Sequence, residues 1–248
     1  MSQKWAVFLD FDGTLVDIAP KPEAVVVPPE LPNVLAALRN KLDGALALIS
    51  GRAIAVLDKA MAPHDFDAAG LHGLEYRFGG RLQACKPEQR PELRRALENL
   101  RLELGRREGI LIEDKGCALA VHWRMAPAHR GMVTRAVQES VAGLGQGYRL
   151  QYGHSVAEVL PAGCDKGKAI ATFLRQQSYE NRRALFIGDD VTDEHGFEVV
   201  NALGGVSVRV GPGETKARHS IASPAELRRR LSGWASTGAM DPENEFAM

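Results

Sequence analysis

Short apolar runs that stop abruptly at acidic or glycine-rich loops set the rhythm at both ends of the chain. Trp5 to Leu9 is continuously apolar and ends at Asp10-Phe-Asp-Gly-Thr14, the pattern of a strand buried on both faces and followed by a loop. Leu31, Val34, Leu35, Leu38 and Leu42 then recur at helical spacing, and Ala45 to Ile49 is a second compact run that stops at Ser50-Gly-Arg52. The same grammar returns further on. Asp165 is placed to cap a helix carrying Ile170, Phe173 and Leu174, and the strand Ala184 to Ile187 leads into Gly188-Asp-Asp190. Val206 to Val210 is a further strand before another glycine-rich turn. Buried strands alternating with helices predict a parallel sheet.

The middle is patterned differently. Glu92 to Arg107 presents Leu93, Leu97, Leu100 and Leu104 on one helical face, and Ile110 to Ile112 and Cys117 to Trp123 read as strands joined by Glu113-Asp-Lys-Gly116. Within the second run, Cys117, Leu119, Val121 and Trp123 alternate with Ala118, Ala120, His122 and Arg124, the period of a sheet with one covered face. His122 and Arg124 then face either solvent or a substrate. A helix around Val133, Val137 and Val141 and a second hairpin, Tyr148 to Tyr152 and Val156 to Leu160 about Gly153-His154, complete an αββαββ insert. The expected division is an α/β, Rossmann-like core at residues 1–82 and 163–236, an α+β insert at 83–162, and a loose tail at 237–248.

Composition excludes more than it selects. Lys and Arg total 31, as do Asp and Glu, so no global field draws the chain to nucleic acid or to an anionic membrane. No apolar run approaches the roughly 18 residues of a membrane span, and the N-terminus lacks a signal-peptide pattern. Cys85, Cys117 and Cys164 show no paired spacing, so neither a disulfide framework nor a zinc site is suggested, and three reduced thiols in a cytoplasmic protein are expected. The basic run Arg228-Arg229-Arg230 reads as the solvated face of a terminal helix.

The candidate chemistry lies at strand exits, where open parallel sheets bind ligands. Asp10 and Asp12 leave the first strand, Ser50 and Arg52 the second, and Asp189, Asp190, Asp193 and Glu194 the strand at 184–187, with Lys166 before the intervening helix. Two residues apart at an extended strand end, Asp10 and Asp12 are expected to project to one side and share a ligand. Oxygen donors from Asp10, Asp12 and Asp189, with no histidine or cysteine beside them, suit Mg²⁺.

Asp10-Phe-Asp12-Gly-Thr-Leu15, Ser50 after an apolar strand, Lys166 in Asp-Lys-Gly, and Gly188-Asp-Asp-Val-Thr-Asp193 appear in the order of the four motifs of the haloacid-dehalogenase superfamily, which the chain resembles. The resemblance implies that Asp10 is the nucleophile and Asp12 the general acid and base. It further implies that Asp10, the Asp12 carbonyl and Asp189 hold Mg²⁺, that Ser50, Gly51 and Lys166 bind the phosphoryl group, and that Asp190 and Asp193 orient metal waters and Lys166. The insert is similar to the cap of sugar-phosphate phosphatases. Ser-Gly-Arg52, Gly70-Leu-His72-Gly-Leu-Glu75, and Glu113-Asp-Lys115-Gly116 with Glu158 resemble the trehalose-6-phosphate phosphatases. In that family the cap glutamates and lysine contact the distal glucose, which implies sugar contacts for Glu113, Lys115 and Glu158; Arg52 and His72 are further candidates, His72 to orient either the substrate or the Arg52 loop, and a monomer acting on a small-molecule substrate is expected. Pattern alone also allows Glu113 and Glu158 to be exposed residues of turns and strand ends. Two other readings compete: a phosphatase for another sugar phosphate, such as sucrose 6-phosphate or a mannosyl phosphate, and a response-regulator-like phosphoacceptor. The latter has no use for the insert or for an acid at position 12.

Overall fold

A computed structural model of the chain describes residues 3–84, 86 and 90–246. The first stretch runs β1 (Trp5–Leu9), α1 (Leu31–Lys41), β2 (Leu46–Ile49), α2 (Ile54–Met61), β3 (Asp67–Gly70), β4 (Glu75–Phe78) and β5 (Arg81–Gln83). Next come α3 (Pro91–Leu104), β6 (Leu111–Asp114), β7 (Leu119–His122), α4 (Arg130–Leu144), β8 (Tyr148–Gly153) and β9 (Val156–Pro161). The chain closes with α5 (Lys166–Phe173), β10 (Arg183–Gly188), α6 (Glu194–Ala202), β11 (Val206–Val210), β12 (His219–Ile221), α7 (Pro224–Thr237) and α8 (Pro242–Phe246). Two compact units result, residues 1–83 with 165–248, and residues 84–164.

The discontinuous unit is built on an eight-stranded sheet ordered β12-β11-β10-β1-β2-β3-β4-β5. From β12 to β3 every pairing is parallel; β4 and β5 join antiparallel at the far edge. Each residue of β1 and β2 is buried, as a strand covered by helices on both faces requires. Helices α1, α2, α5, α6 and α7 contribute apolar faces to one continuous core, in which Phe8, Phe173 and Tyr179 pack ring on ring. Sequence reading passes over α2, β3 to β5, α6 and β12. β5 is exposed throughout and β12 is three residues long, so neither carries a periodic signal.

The expected loose tail at 237–248 is corrected. Gly238 adopts a left-handed cap that ends α7, and α8 follows, with Phe246 only 2% exposed. Phe246 meets Trp234 edge-on and lies beneath the Arg230 guanidinium, while Glu245 accepts from the Trp234 indole. The missed signal is a single aromatic in a polar stretch, which periodicity cannot register. The basic run is likewise partly structural: Arg228 donates to the Leu15 carbonyl, and Arg230 pairs with Glu226.

The continuous unit has a four-stranded antiparallel sheet ordered β6-β7-β9-β8, with α3 and α4 on one face. Leu119, Val121, Trp123, Ala157 and Val159 fill the helical side. Strand β6 runs through Glu113 and Asp114, so Glu113 sits within the sheet and the turn begins later than expected, closed by the Lys115 amide on the Ala118 carbonyl. Cys117 is disulfide-bonded, which corrects the expectation of three reduced thiols; Cys164 forms no disulfide, and Cys85 lies outside the described residues. Pairing depends on spatial approach, which cysteine spacing does not encode.

Phe246→Ala is expected to lower stability by about 3 kcal/mol, the usual effect of emptying a buried phenylalanine site. Urea unfolding checks this, and an unchanged midpoint would return the last ten residues to the status of a loose tail.

Candidate active site

Three adjacent parallel strands, β10, β1 and β2, end at one edge, and their exits carry the cluster. Leu9 lies opposite both Ile187 and Leu48, so Asp10, Ser50 and Asp189 emerge side by side. The Asp10 amide continues the ladder by donating to the Ile187 carbonyl at 2.9 Å. Lys166 enters from the first turn of α5, which Asp165 caps by accepting from the Lys168 amide. Its ammonium lies 2.7 Å from Asp10 Oδ1 and 2.7 Å from Asp193 Oδ1, and all three side chains are buried.

Asp193 folds back onto its own loop. Its Oδ2 accepts from the amides of Asp189 and Asp190 at 3.1 and 3.0 Å, and Asp190 Oδ1 accepts from the Val191 amide. Asp193 therefore fixes both the Asp189 backbone and Lys166. Ser50 is buried, its hydroxyl accepting from the Arg52 amide at 3.1 Å. The His72 amide donates to the Ser50 carbonyl, which places the Gly70–Gly73 turn directly beneath this loop.

Two residues of the first motif have roles that sequence reading left unassigned. Thr14 Oγ1 is 3.2 Å from both Asp10 Oδ2 and Asp189 Oδ1, so its single proton can bridge to either carboxylate. Gly13 has φ +79°, and a β-carbon there would stand 2.0 Å from Asp189 Oδ2, so only glycine lets the loop pass. Their position inside the motif was the available signal.

Asp12 stands close enough to Asp10 for its charge to help raise the Asp10 carboxyl. The Asp12 carboxylate is bound on both oxygens by Arg52, with Nε to Oδ2 at 2.6 Å and Nη2 to Oδ1 at 2.7 Å.

Among the described residues, Asp10, Asp189 and Asp193 each bring a carboxylate oxygen within 4.8 Å of the others. Fully ionised, they and Lys166 carry three negative charges and one positive, a net of −2 in a buried space. Burial, reinforced by the neighbouring Asp193 and Asp12 and opposed by Lys166, pushes Asp10 up to about 7. Burial and the charges of Asp10 and Asp193 push Asp189 up to about 9. Burial works against the Lys166 charge too, but Asp10 and Asp193 outweigh it and hold the ammonium above the ordinary lysine range. Such a site favours a divalent cation. The three carboxylates offer hard oxygen donors with no nitrogen or sulfur among them, a set suited to Mg²⁺.

In the other unit the sugar-contact candidates form a network of their own. Glu113, Ala120, Glu158 and Gln151 lie in register across the sheet on the face away from the helices. Glu158, 5% exposed, receives Lys115 Nζ at 2.6 Å, which supplies the partner a buried carboxylate needs. Glu113 accepts from His122 Nε2 at 3.0 Å. Burial would raise Glu113, but the His122 hydrogen bond and the Lys115 charge bring it below the ordinary range. Ala120, fully buried between the two glutamates, forms a small floor among charged walls.

The Rossmann-like core with its αββαββ insert has the fold of a haloacid dehalogenase-like hydrolase from Bacteroides thetaiotaomicron, which superposes with a TM-score of 0.65 at 14% identity over 94% of this chain and 99% of its own. The chain belongs to the trehalose-phosphatase family, whose model matches residues 8–228. A probable trehalose-phosphate phosphatase of Sinorhizobium fredii is 44% identical over 234 residues, covering 93% of this chain and 88% of its own. The Escherichia coli trehalose-6-phosphate phosphatase is 40% identical over 230 residues, 92% of this chain and 85% of its own. A solved trehalose-6-phosphate phosphatase related protein superposes with a TM-score of 0.75 at 26% identity, covering 94% of this chain and 97% of its own. The C-terminal domain of the Candida albicans trehalose-6-phosphate phosphatase reaches 0.81 at 21% identity, over 94% and 93%, which speaks for the fold. The protein is accordingly an enzyme, a phosphoric monoester hydrolase. Among the described residues, no helix is long and apolar enough to cross a membrane.

The raised carboxylates give a signed prediction. Their folded values lie above the unfolded one, so the folded state binds more protons and the cluster's contribution to stability falls as pH rises from about 4 towards 9. Mg²⁺ relieves the same repulsion, so its effect on Tm should grow with pH. A rise of several degrees is expected at pH 8.5 and little at pH 5, and Asp189→Asn should abolish it. Equal shifts at both pH values in a thermal-melt series would place the metal elsewhere.

Proposed function

We propose that this enzyme hydrolyses trehalose 6-phosphate to trehalose and phosphate through an aspartyl phosphate on Asp10. The observation that carries the reading is the buried Asp10–Lys166 pair at 2.7 Å with Asp189 alongside, in a chain of the trehalose-phosphatase family. A carboxylate repels a phosphate dianion, so attack requires cations at the transferring group. Lys166 is one such charge, and Ser50 and the Gly51 amide are the adjacent hydrogen-bond donors. Asp10, Asp189 and the Asp12 carbonyl would hold Mg²⁺, which supplies charge neutralisation to the phosphoryl oxygens. Asp190 and Asp193 act behind them, Asp193 by setting Lys166.

An Asp10 carboxylate oxygen forms a bond to phosphorus as the bond from phosphorus to the sugar oxygen breaks, and Asp12 gives that oxygen its proton. Water then attacks the phosphoryl group, Asp12 takes a proton from it, and phosphate leaves as Asp10 is regenerated. In the other unit, Glu113, Lys115 and Glu158 present converging charged acceptors and a donor that fit the hydroxyls of a sugar, since hydrogen bonds to charged groups are the stronger kind. The substrate is an ionised metabolite that membranes retain, which is the ground for a cytoplasmic assignment.

Phosphate release from trehalose 6-phosphate should exceed that from sucrose 6-phosphate and mannosyl phosphates, and EDTA should stop it until Mg²⁺ is restored. Asp10→Asn should leave the thermal melt in place and remove turnover; residual activity in pure protein would reject Asp10 as nucleophile. Glu158→Gln should reduce turnover of trehalose 6-phosphate by about tenfold or more while sparing p-nitrophenyl phosphate, which lacks the sugar. Equal losses on both would remove the sugar-contact role.

A further inference from the structure

We infer that Arg52 is a positioning residue for Asp12, setting the orientation of the carboxylate that meets the leaving sugar oxygen. The inference rests on the reading of Asp12 as proton donor and acceptor. Its physical basis is the fork. Arg52 Nε and Nη2 reach the two Asp12 oxygens at 2.6 and 2.7 Å, a bidentate geometry that fixes the plane of the carboxylate as well as its place. A lone ammonium would leave that plane free to turn.

The guanidinium is itself held from three sides. Nη2 also donates to the Pro22 carbonyl at 3.0 Å, the Phe11 ring lies 5.4 Å beneath the guanidinium carbon, and the Arg52 side chain is 15% exposed. Its backbone is pinned as firmly. The Arg52 amide donates to Ser50 Oγ, and its carbonyl accepts from the Leu71 amide at 3.0 Å.

The turn that supplies this last contact is strained. Leu71 and His72 both occupy left-handed backbone, φ 50° and 57°, and Gly73 follows at 97°. Left-handed leucine is costly, and such residues persist only where the surroundings over-determine them. Here the strain aims two successive amides at the Ser50 and Arg52 carbonyls. The His72 ring meanwhile fills the space a β-carbon on Gly51 would need, standing 2.5 Å from that position. Residues 70–73 thus act as a clamp on the Ser50–Arg52 loop, and the far end of the loop is the fork on Asp12. This accounts for Arg52 and His72 together: one orients the acid, the other anchors the loop that carries it.

The test separates proton donation from phosphate binding by choice of leaving group. p-Nitrophenolate departs without a proton, whereas a sugar alkoxide needs one. In rapid-quench experiments, Arg52→Gln should slow the first release of trehalose from trehalose 6-phosphate by about 10- to 100-fold, the scale of a misplaced catalytic group. The initial burst of p-nitrophenol should stay near wild type, and KM for both substrates should change by less than about threefold, well inside that scale. The double variant Asp12→Asn/Arg52→Gln should be no slower than Asp12→Asn alone, because Arg52 acts through Asp12. Arg52→Gln slowing both bursts alike, or acting chiefly on KM, would overturn the inference and make Arg52 a phosphate ligand or a structural prop. Asp12→Asn, run in parallel, keeps the two levels apart. If it fails to discriminate between the leaving groups, the underlying acid and base assignment falls; if it discriminates and Arg52→Gln does not, only the positioning role falls.

Discussion

One buried ammonium holds this active site together. Lys166 lies between Asp10 and Asp193, all three removed from water, and each would be costly alone. Burying like charges around a single cation is tolerable because Lys166 pairs with Asp10 and Asp193, backbone amides of the 189–190 loop satisfy Asp193 further, and the remaining negative charge is what a divalent cation would neutralise. The fold serves this arrangement. Parallel strands covered on both faces deliver Asp10, Ser50 and Asp189 to one edge, and a capped helix delivers Lys166 from the side.

A second charged network, in the other unit, follows the same logic with different chemistry. Lys115 answers Glu158, and His122 answers Glu113, around the small floor of Ala120. Both clusters keep carboxylates ionised or poised inside a protein by giving each a named partner. The first cluster gathers a net negative charge, which suits a cation; the second pairs its carboxylates with a lysine and a histidine.

Much of this was legible in the chain because burial and periodicity write strongly. β1 and β2 are unbroken apolar runs, β10 is apolar from Ala184 to Ile187, β11 places valine at every second position, and α1, α3 and α4 carry clear helical stripes, so the parallel core and the αββαββ insert follow from pattern. The elements that escaped are those whose identity is tertiary. β5 is exposed at a sheet edge, β12 is a three-residue strand, and α8 rests on Phe246 finding Trp234. In the site, spacing alone pointed to the strand exits but not to the partner of Asp12, because Arg52, forty positions on, reaches that carboxylate only in space. Thr14 was in view yet unassigned, since its two partners come together only in space.

The interrupted sheet has a consequence for biosynthesis. β1 sits at the centre of the order, with β2 on one side and β10 on the other, so Trp5 waits for Arg183 before its strand is paired on both edges. The unit at 84–164 is contiguous in sequence, whereas the discontinuous unit must keep β1 open on one edge until β10 has been made. Nascent-chain quality control should therefore weigh on β1, the segment that leads into Asp10, more than on β2, whose two neighbours are both made early.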